Sequence, residues 1–164
     1  MTEKSVHLWV NDRELSIVVE PSQTLLEVLR EDLKCVSVKE GCGHGDCGSC
    51  MVIMDGKPVN ACLVLIAQAE DAHVLTLEGL SRGASLHPLQ RSFVDKWAFQ
   101  CGFCTPGMIL SSYALLMKNL EPTEEDIKDA IVGNLCRCTD YHRVIEAVQA
   151  AARELRLLNG PGRK

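Results

Sequence analysis

From Ser5 onward the apolar residues Val6, Leu8 and Val10 alternate with His7 and Trp9, and Asn11-Asp12-Arg13 turns the chain into Leu15-Ser16-Ile17-Val18-Val19. A period of two closed by such a turn predicts a β-hairpin. Leu25, Leu26, Val28, Leu29 and Leu33 then recur at a spacing that places most of them on one face of a helix, with Ser22 or Thr24 as its cap. Met51–Met54 and residues 58–63 flank Asp55-Gly56, a two-residue hairpin signal, and residues 74–77 supply another strand. The glycine-rich stretch between Lys39 and Cys50 reads as a loop.

After Glu78-Gly79-Leu80-Ser81-Arg82-Gly83 the period changes from two to about 3.6, and every later segment reads as helix. His87-Pro88 opens the first, with Leu89, Phe93 and Trp97 recurring along it. Thr105-Pro106 opens the second, which carries Met108, Ile109, Tyr113, Leu115 and Leu116. Thr123 followed by Asp126 caps a third, and Tyr141–Leu158 forms a fourth that stops before Asn159-Gly160. Leu115, Leu116, Ile127, Ile131, Val144 and Val148 are the core positions such helices need in order to pack. The expected fold is α+β: a small sheet domain over residues 1–80, then an all-α domain of four helices over residues 81–164.

Composition narrows the function. The chain has 164 residues, too few for a complete large redox enzyme, and its 17 basic against 22 acidic residues give a net charge of −5. That balance lacks the basic footprint of a nucleic-acid binder, and three Phe, two Tyr and two Trp offer little for base stacking. Met1-Thr2-Glu3-Lys4-Ser5 leads into polar, alternating sequence without the apolar stretch of a signal peptide or membrane span. A cytoplasmic protein is therefore expected, and residues 159–164 read as a frayed tail. Nine cysteines are the anomaly, and in a reducing compartment clustered thiols point to metal ligands rather than disulfides.

The first group, Cys42, Cys47, Cys50 and then Cys62, has the spacing C-x4-C-x2-C-x11-C, whose first three positions match the plant-type [2Fe–2S] pattern. Four thiolates can wrap a two-iron core only where the backbone turns sharply, and Gly41, Gly43, Gly45 and Gly48 permit positive φ there. No Gly-Lys-Ser/Thr follows, which removes a phosphate loop, and a zinc site has no use for so glycine-rich a wrap. The second group is Cys101-Gly102-Phe103-Cys104 and Cys136-Arg137-Cys138, each pair just before a helix N-terminus that favours thiolate. Its four thiols suit either a zinc staple or a second [2Fe–2S] cluster, and spacing alone leaves both open. Cys35 among Leu33, Val36 and Val38 reads as a small buried hydrophobe.

Gly41-Cys42-Gly43 through Cys50, Cys101-Gly102-Phe103-Cys104-Thr105-Pro106-Gly107-Met108 and Gly133-Asn134-Leu135-Cys136-Arg137-Cys138-Thr139 together resemble the small iron–sulfur subunit of the molybdenum hydroxylases. That family includes xanthine dehydrogenase, aldehyde oxidoreductase and carbon monoxide dehydrogenase. The resemblance implies a β-grasp, plant-type ferredoxin-like domain followed by a four-helix bundle, each holding one [2Fe–2S] cluster. It implies an electron-transfer subunit without an active site of its own, working beside a large molybdopterin-binding subunit and a medium FAD-binding subunit in a dimer of heterotrimers.

Carried over by position, Cys101, Cys104, Cys136 and Cys138 resemble the ligands of the cluster nearest molybdenum, and Cys42, Cys47, Cys50 and Cys62 those of the cluster nearest flavin. Gln100 and Cys138 match positions that contact the pterin. Asp140 departs from the glycine common in the family, and His44 and Ser49 also differ, which leaves the ligands intact but alters each cluster's surroundings. Two clusters would take the net charge to about −9, so basic faces are expected on the partners. The rival readings are a free-standing ferredoxin-type carrier, which leaves the helical half idle, and a zinc-stapled structural module, which predicts a colourless protein.

Overall fold

The computed structural model describes residues 3–81, 83 and 85–160. Met1, Thr2, Arg82, Ala84 and residues 161–164, which include part of the expected boundary and tail, lie outside them.

Strands β1 (Lys4–Val10) and β2 (Arg13–Val19) pair antiparallel with Val6 opposite Ile17. The turn is made by Asn11 and Asp12, both at positive φ (51° and 63°), which matches the twist of the flanking strands. Asn11 is pinned there: its Oδ1 accepts from the Thr76 N–H and its Nδ2 donates to Thr76 Oγ1, both at 2.9 Å. Strands β3 (Met51–Met54), β4 (Lys57–Asn60) and β5 (His73–Leu75) complete a five-stranded sheet ordered β2-β1-β5-β3-β4. Only β1 and β5 among the described pairs run parallel.

One face of this sheet is covered by α1 (Leu25–Glu27) and the π-helical turn that continues it, Val28–Asp32. Thr24, not Ser22, is the cap: its Oγ1 accepts from the Glu27 N–H, and the Glu27 carboxylate accepts from the Thr24 N–H at 2.6 Å. The regular helix expected as far as Leu33 gives way because Leu33 N–H donates to Val28 O, five residues back. Leu25, Val28 and Leu29 are thereby fully buried against Val6, Leu8, Val52 and Val74. Two strand ends also differ from expectation. β4 stops at Asn60, where Ala61–Leu63 coils into a 3-10 turn, and β5 stops at Leu75, where Thr76 starts the short helix α2 (Leu77–Leu80).

Four longer helices follow among the described residues: α3 (Pro88–Asp95), α4 (Thr105–Leu116), α5 (Glu124–Ile131) and α6 (Tyr141–Leu158). Thr123 and Asp126 form the expected capping box on α5, and Asp140 caps α6 by accepting from the His142 N–H at 3.0 Å. Five of the six expected core positions lie in the helical core, and the sixth, Leu115, packs half-buried against it. The expected run through Trp97 is a correction. α3 ends at Asp95, and Trp97 N–H donates to Val94 O while Ala98 N–H donates to Phe93 O. That places Trp97 in the left-handed position of a Schellman cap, at φ 54° and 71% exposed, where glycine is the usual occupant.

Helix α4 is apolar all round, and nine of its twelve residues are buried. Such a helix must be covered on every side. α5 covers one side, α3 and α6 another, and β3 and β4 the rest, so Ile53 of the sheet belongs to the helical core. No helix among the described residues is long and apolar enough to cross a membrane.

Candidate metal centres

All nine cysteines are free thiols, and eight fall into two groups on facing loops. In the first, Gly43, Gly45 and Gly48 do take positive φ (71°, 93° and 68°), whereas Gly41 does not. Gly41 is needed for space instead, since a Cβ on it would stand 2.7 Å from Cys47 Sγ. The tight wrap turns backbone N–H groups onto one sulfur. The N–H groups of His44 and Cys47, with that of Asp46 adding less, pull the Cys42 thiol down to about 6. Cys50 sits at the inner wall, where burial pushes its thiol up to about 12. The 3-10 turn after β4 delivers Cys62 beside it, with Ala61 N–H donating to Cys50 O. Asn60, which no sequence motif marks, fixes this corner by donating from Nδ2 to Gly45 O at 2.8 Å.

In the second group, Cys104 lies at the N-terminus of α4 and Cys136 and Cys138 just ahead of α6. The sulfurs of Cys101 and Cys138, both exposed, stand 3.8 Å apart. Burial outweighs the helix terminus at Cys104 and, with the Cys136 thiol beside it, pushes that thiol up to about 12. Burial also works against the Cys136 thiolate, but the Thr139 N–H, 3.2 Å from its sulfur, and that of Cys138 bring its pKa down on balance. Tyr141 braces the loop: its hydroxyl donates to Asn134 O and accepts from the Cys136 N–H.

Within each group the thiols are gathered in twos. Cys42 lies with Cys47 and Cys50 with Cys62; Cys101 lies with Cys138 and Cys104 with Cys136. Two thiols to each of two metals is the arrangement a binuclear centre needs, whereas a zinc staple draws all four sulfurs to one point. The donor sets therefore fit [2Fe–2S] clusters.

The two loops touch. Leu135 N–H donates to Cys47 O at 3.0 Å, and the Asn134 side chain, buried, donates to Gly48 O at 3.2 Å. α4 presses on the same place, since a Cβ on Gly107 would stand 2.1 Å from Gly48 O. Gln100 is exposed directly before Cys101, on the surface that also carries Cys138. Cys35 sits apart in the sheet core, 7% exposed, where burial raises its pKa.

Residues 9–76 match a 2Fe-2S iron-sulfur cluster binding domain and residues 76–149 a [2Fe-2S] binding domain. The nicotinate dehydrogenase small FeS subunit of Eubacterium barkeri is 48% identical over 92% of this chain and 96% of its own. Quinoline 2-oxidoreductase from Pseudomonas putida 86 contains a chain that superposes with a TM-score of 0.91 at 39% identity, covering 94% of this chain and 97% of that one. The aldehyde oxidoreductase of Desulfovibrio desulfuricans ATCC 27774 superposes at 0.90 with 46% identity, over 93% of this chain but 17% of that longer one.

Proposed function

This chain belongs to the small iron–sulfur subunits of the molybdenum hydroxylases, non-catalytic members of oxidoreductase complexes, and from that premise we propose how it works and what it joins. Cys42, Cys47, Cys50 and Cys62 hold one [2Fe–2S] cluster, and Cys101, Cys104, Cys136 and Cys138 hold the other. Each cluster, when bound, accepts and releases one electron. The chain's own part is to fix the sulfurs, direct N–H groups at Cys42 and Cys136, and keep water from Cys50 and Cys104.

The observation that carries this reading is the pairwise gathering of eight thiols in two loops joined by the Leu135–Cys47 hydrogen bond. That bond sets one residue between a ligand of each group, Cys47 through its carbonyl and Cys136 through Leu135. The exposed edge of Cys101 and Cys138, with Gln100 beside it, suits the large molybdopterin-binding subunit, Gln100 and Cys138 meeting the pterin. The loop of Cys42 and Cys47 suits the medium FAD-binding subunit, and the assembly is a dimer of such heterotrimers. We divide the chain into a β-grasp ferredoxin-like domain, 1–80, and a four-helix bundle, 81–164, and place it in the cytoplasm, where nine free thiols stay reduced. A free-standing ferredoxin suits the shared core less well, because the sheet and α4 cover each other.

Iron and sulfide analysis with paramagnetic resonance of the reduced protein tests this. Four irons, four sulfides and two distinct signals are expected, unchanged in Cys35→Ala. Stoichiometric zinc, or one signal accounting for all the iron, overturns it. For the partner contact, Gln100→Ala is expected to keep both clusters while weakening molybdenum retention in the complex.

A further inference from the structure

Lys39 leaves the chain three residues before Cys42, in the loop of the first thiol group, yet its side chain crosses to the second. Its Nζ donates to Phe103 O at 3.3 Å and lies 5.5 Å from the centre of the Phe103 ring, inside the Cys101-Gly102-Phe103-Cys104 segment. We propose that Lys39 is a positioning residue that sets the reduction potential of the cluster held by Cys101, Cys104, Cys136 and Cys138, raising it with a fixed positive charge delivered from the other domain. This inference rests on the two-cluster reading above.

The placement is built rather than incidental. Arg30 Nη1 donates to Val36 O at 3.0 Å and Val38 O at 2.8 Å, and Glu78 accepts from both the N–H and the hydroxyl of Ser37. Lys39 N–H itself donates to Ser49 O. The backbone from Val36 to Lys39 is thus held from both sides, which fixes the point from which the lysine stem reaches Phe103. Burial lowers the Lys39 pKa and the Arg30 charge lowers it further, while Cys104, Glu78 and Cys101 favour the charged ammonium, so both thiols on either side of Phe103 lie within reach of its charge. Because Lys39 is half-buried, solvent screens this field less than it would a surface pair. Reduction adds one negative charge to a cluster, and a nearby fixed cation favours the more negative state. The bond to Phe103 O also holds the turn between two of the four ligands, so charge and positioning act on the same centre.

The test is a redox titration of the chain purified with its clusters and partners, following each paramagnetic signal separately. The signals are assigned beforehand by the change that Cys62→Ser or Cys138→Ser makes in each. Lys39→Met keeps the apolar stem and removes the charge, Lys39→Gln keeps a donor, and Lys39→Arg keeps the charge. The midpoint of the helical-domain cluster is expected to fall in Met and Gln, to return in Arg, and the other cluster is expected not to move. The proposal is overturned if neither midpoint moves, if the first cluster moves instead, or if Arg falls as far as Met. Loss of iron from the helical-domain cluster in both Met and Gln overturns it as well, because Lys39 is then only a structural tie. Failure of the two-cluster reading shows itself differently, as the absence of two signals in the unsubstituted protein.

Discussion

Gly107→Ala is the substitution that most directly measures how tightly the two loops are pressed together. By helix propensity alone it stabilises, since alanine in place of glycine favours a helix by up to about 1 kcal/mol. Packing reverses that sign. The new Cβ would stand 2.1 Å from Gly48 O, 3.2 Å from Gly48 C and 3.0 Å from Asn134 Nδ2, and two of these three atoms are backbone that cannot swing aside. Overpacking of this kind costs roughly 1–3 kcal/mol. Pushing Gly48 away also strains the Asn134–Gly48 and Leu135–Cys47 hydrogen bonds, each contributing about 1 kcal/mol. The net expectation is a loss of about 2–4 kcal/mol, which lowers the melting temperature by roughly 5–15 °C in a chain of this size. Gly133, two residues from Leu135, is the control: nothing lies within 4 Å of a Cβ there, so Gly133→Ala should leave stability unchanged or slightly raised. Thermal and urea unfolding of the iron-loaded protein provide the assay. If Gly107→Ala is as stable as the parent with full iron content, the seam is not close-packed and the reasoning fails.

Three further outcomes are expected. Asp140→Ala should cost about 1 kcal/mol in urea unfolding, whereas Asp140→Asn, which can still accept from His142 N–H, should cost a few tenths. Trp97→Gly should stabilise the isolated chain by about 0.5–1 kcal/mol, because glycine occupies the left-handed cap without strain; a loss in the same assay would show that exposed Trp97 packs usefully. His7 bridges Asp71 (2.9 Å) and Glu14 (3.0 Å), and these two acceptors raise its pKa above the ordinary 6.5. Its contribution is therefore complete below pH 6.5 and lost as pH rises through the raised value, so melting temperature should slope downward there and His7→Gln should flatten the slope.

The elements that local pattern determines were legible: the β1–β2 hairpin, the Asp55-Gly56 turn, the capping box at Thr123 and the span of α6. Each is decided by residues within a few positions of one another. The departures arise where a distant partner outweighs local preference. β4 stops short of residues 61–63 because Val64 N–H turns back to Ala61 O and closes a 3-10 turn, and that bend carries Cys62 to its partner thiol. A period-matching Trp97 leaves its helix because Ala98 turns inward, 1% exposed. The two cysteine groups could be read from spacing, but which thiols pair, and that Asn60, Tyr141 and Lys39 brace the loops, depended on chain segments brought together only by the fold. Asn134 and Gly107 stood inside recognisable motifs without a visible reason, and both prove to belong to the contact with Gly48.

That contact explains why a helix as apolar as α4 sits at the centre. A carrier of single electrons needs its two centres held at one separation, and sites built on rigid elements hold geometry better than sites on loops. Both thiol groups here are on loops. What stiffens them is α4, whose N-terminus carries Cys104, whose third residue meets Gly48, and whose length is clamped between the sheet and the other helices. Moving either loop would therefore require moving α4 within a core that surrounds it on every side. The short α2 fits that view, since Leu80 packs into the helical core while Glu78 accepts from Ser37 on the opposite loop.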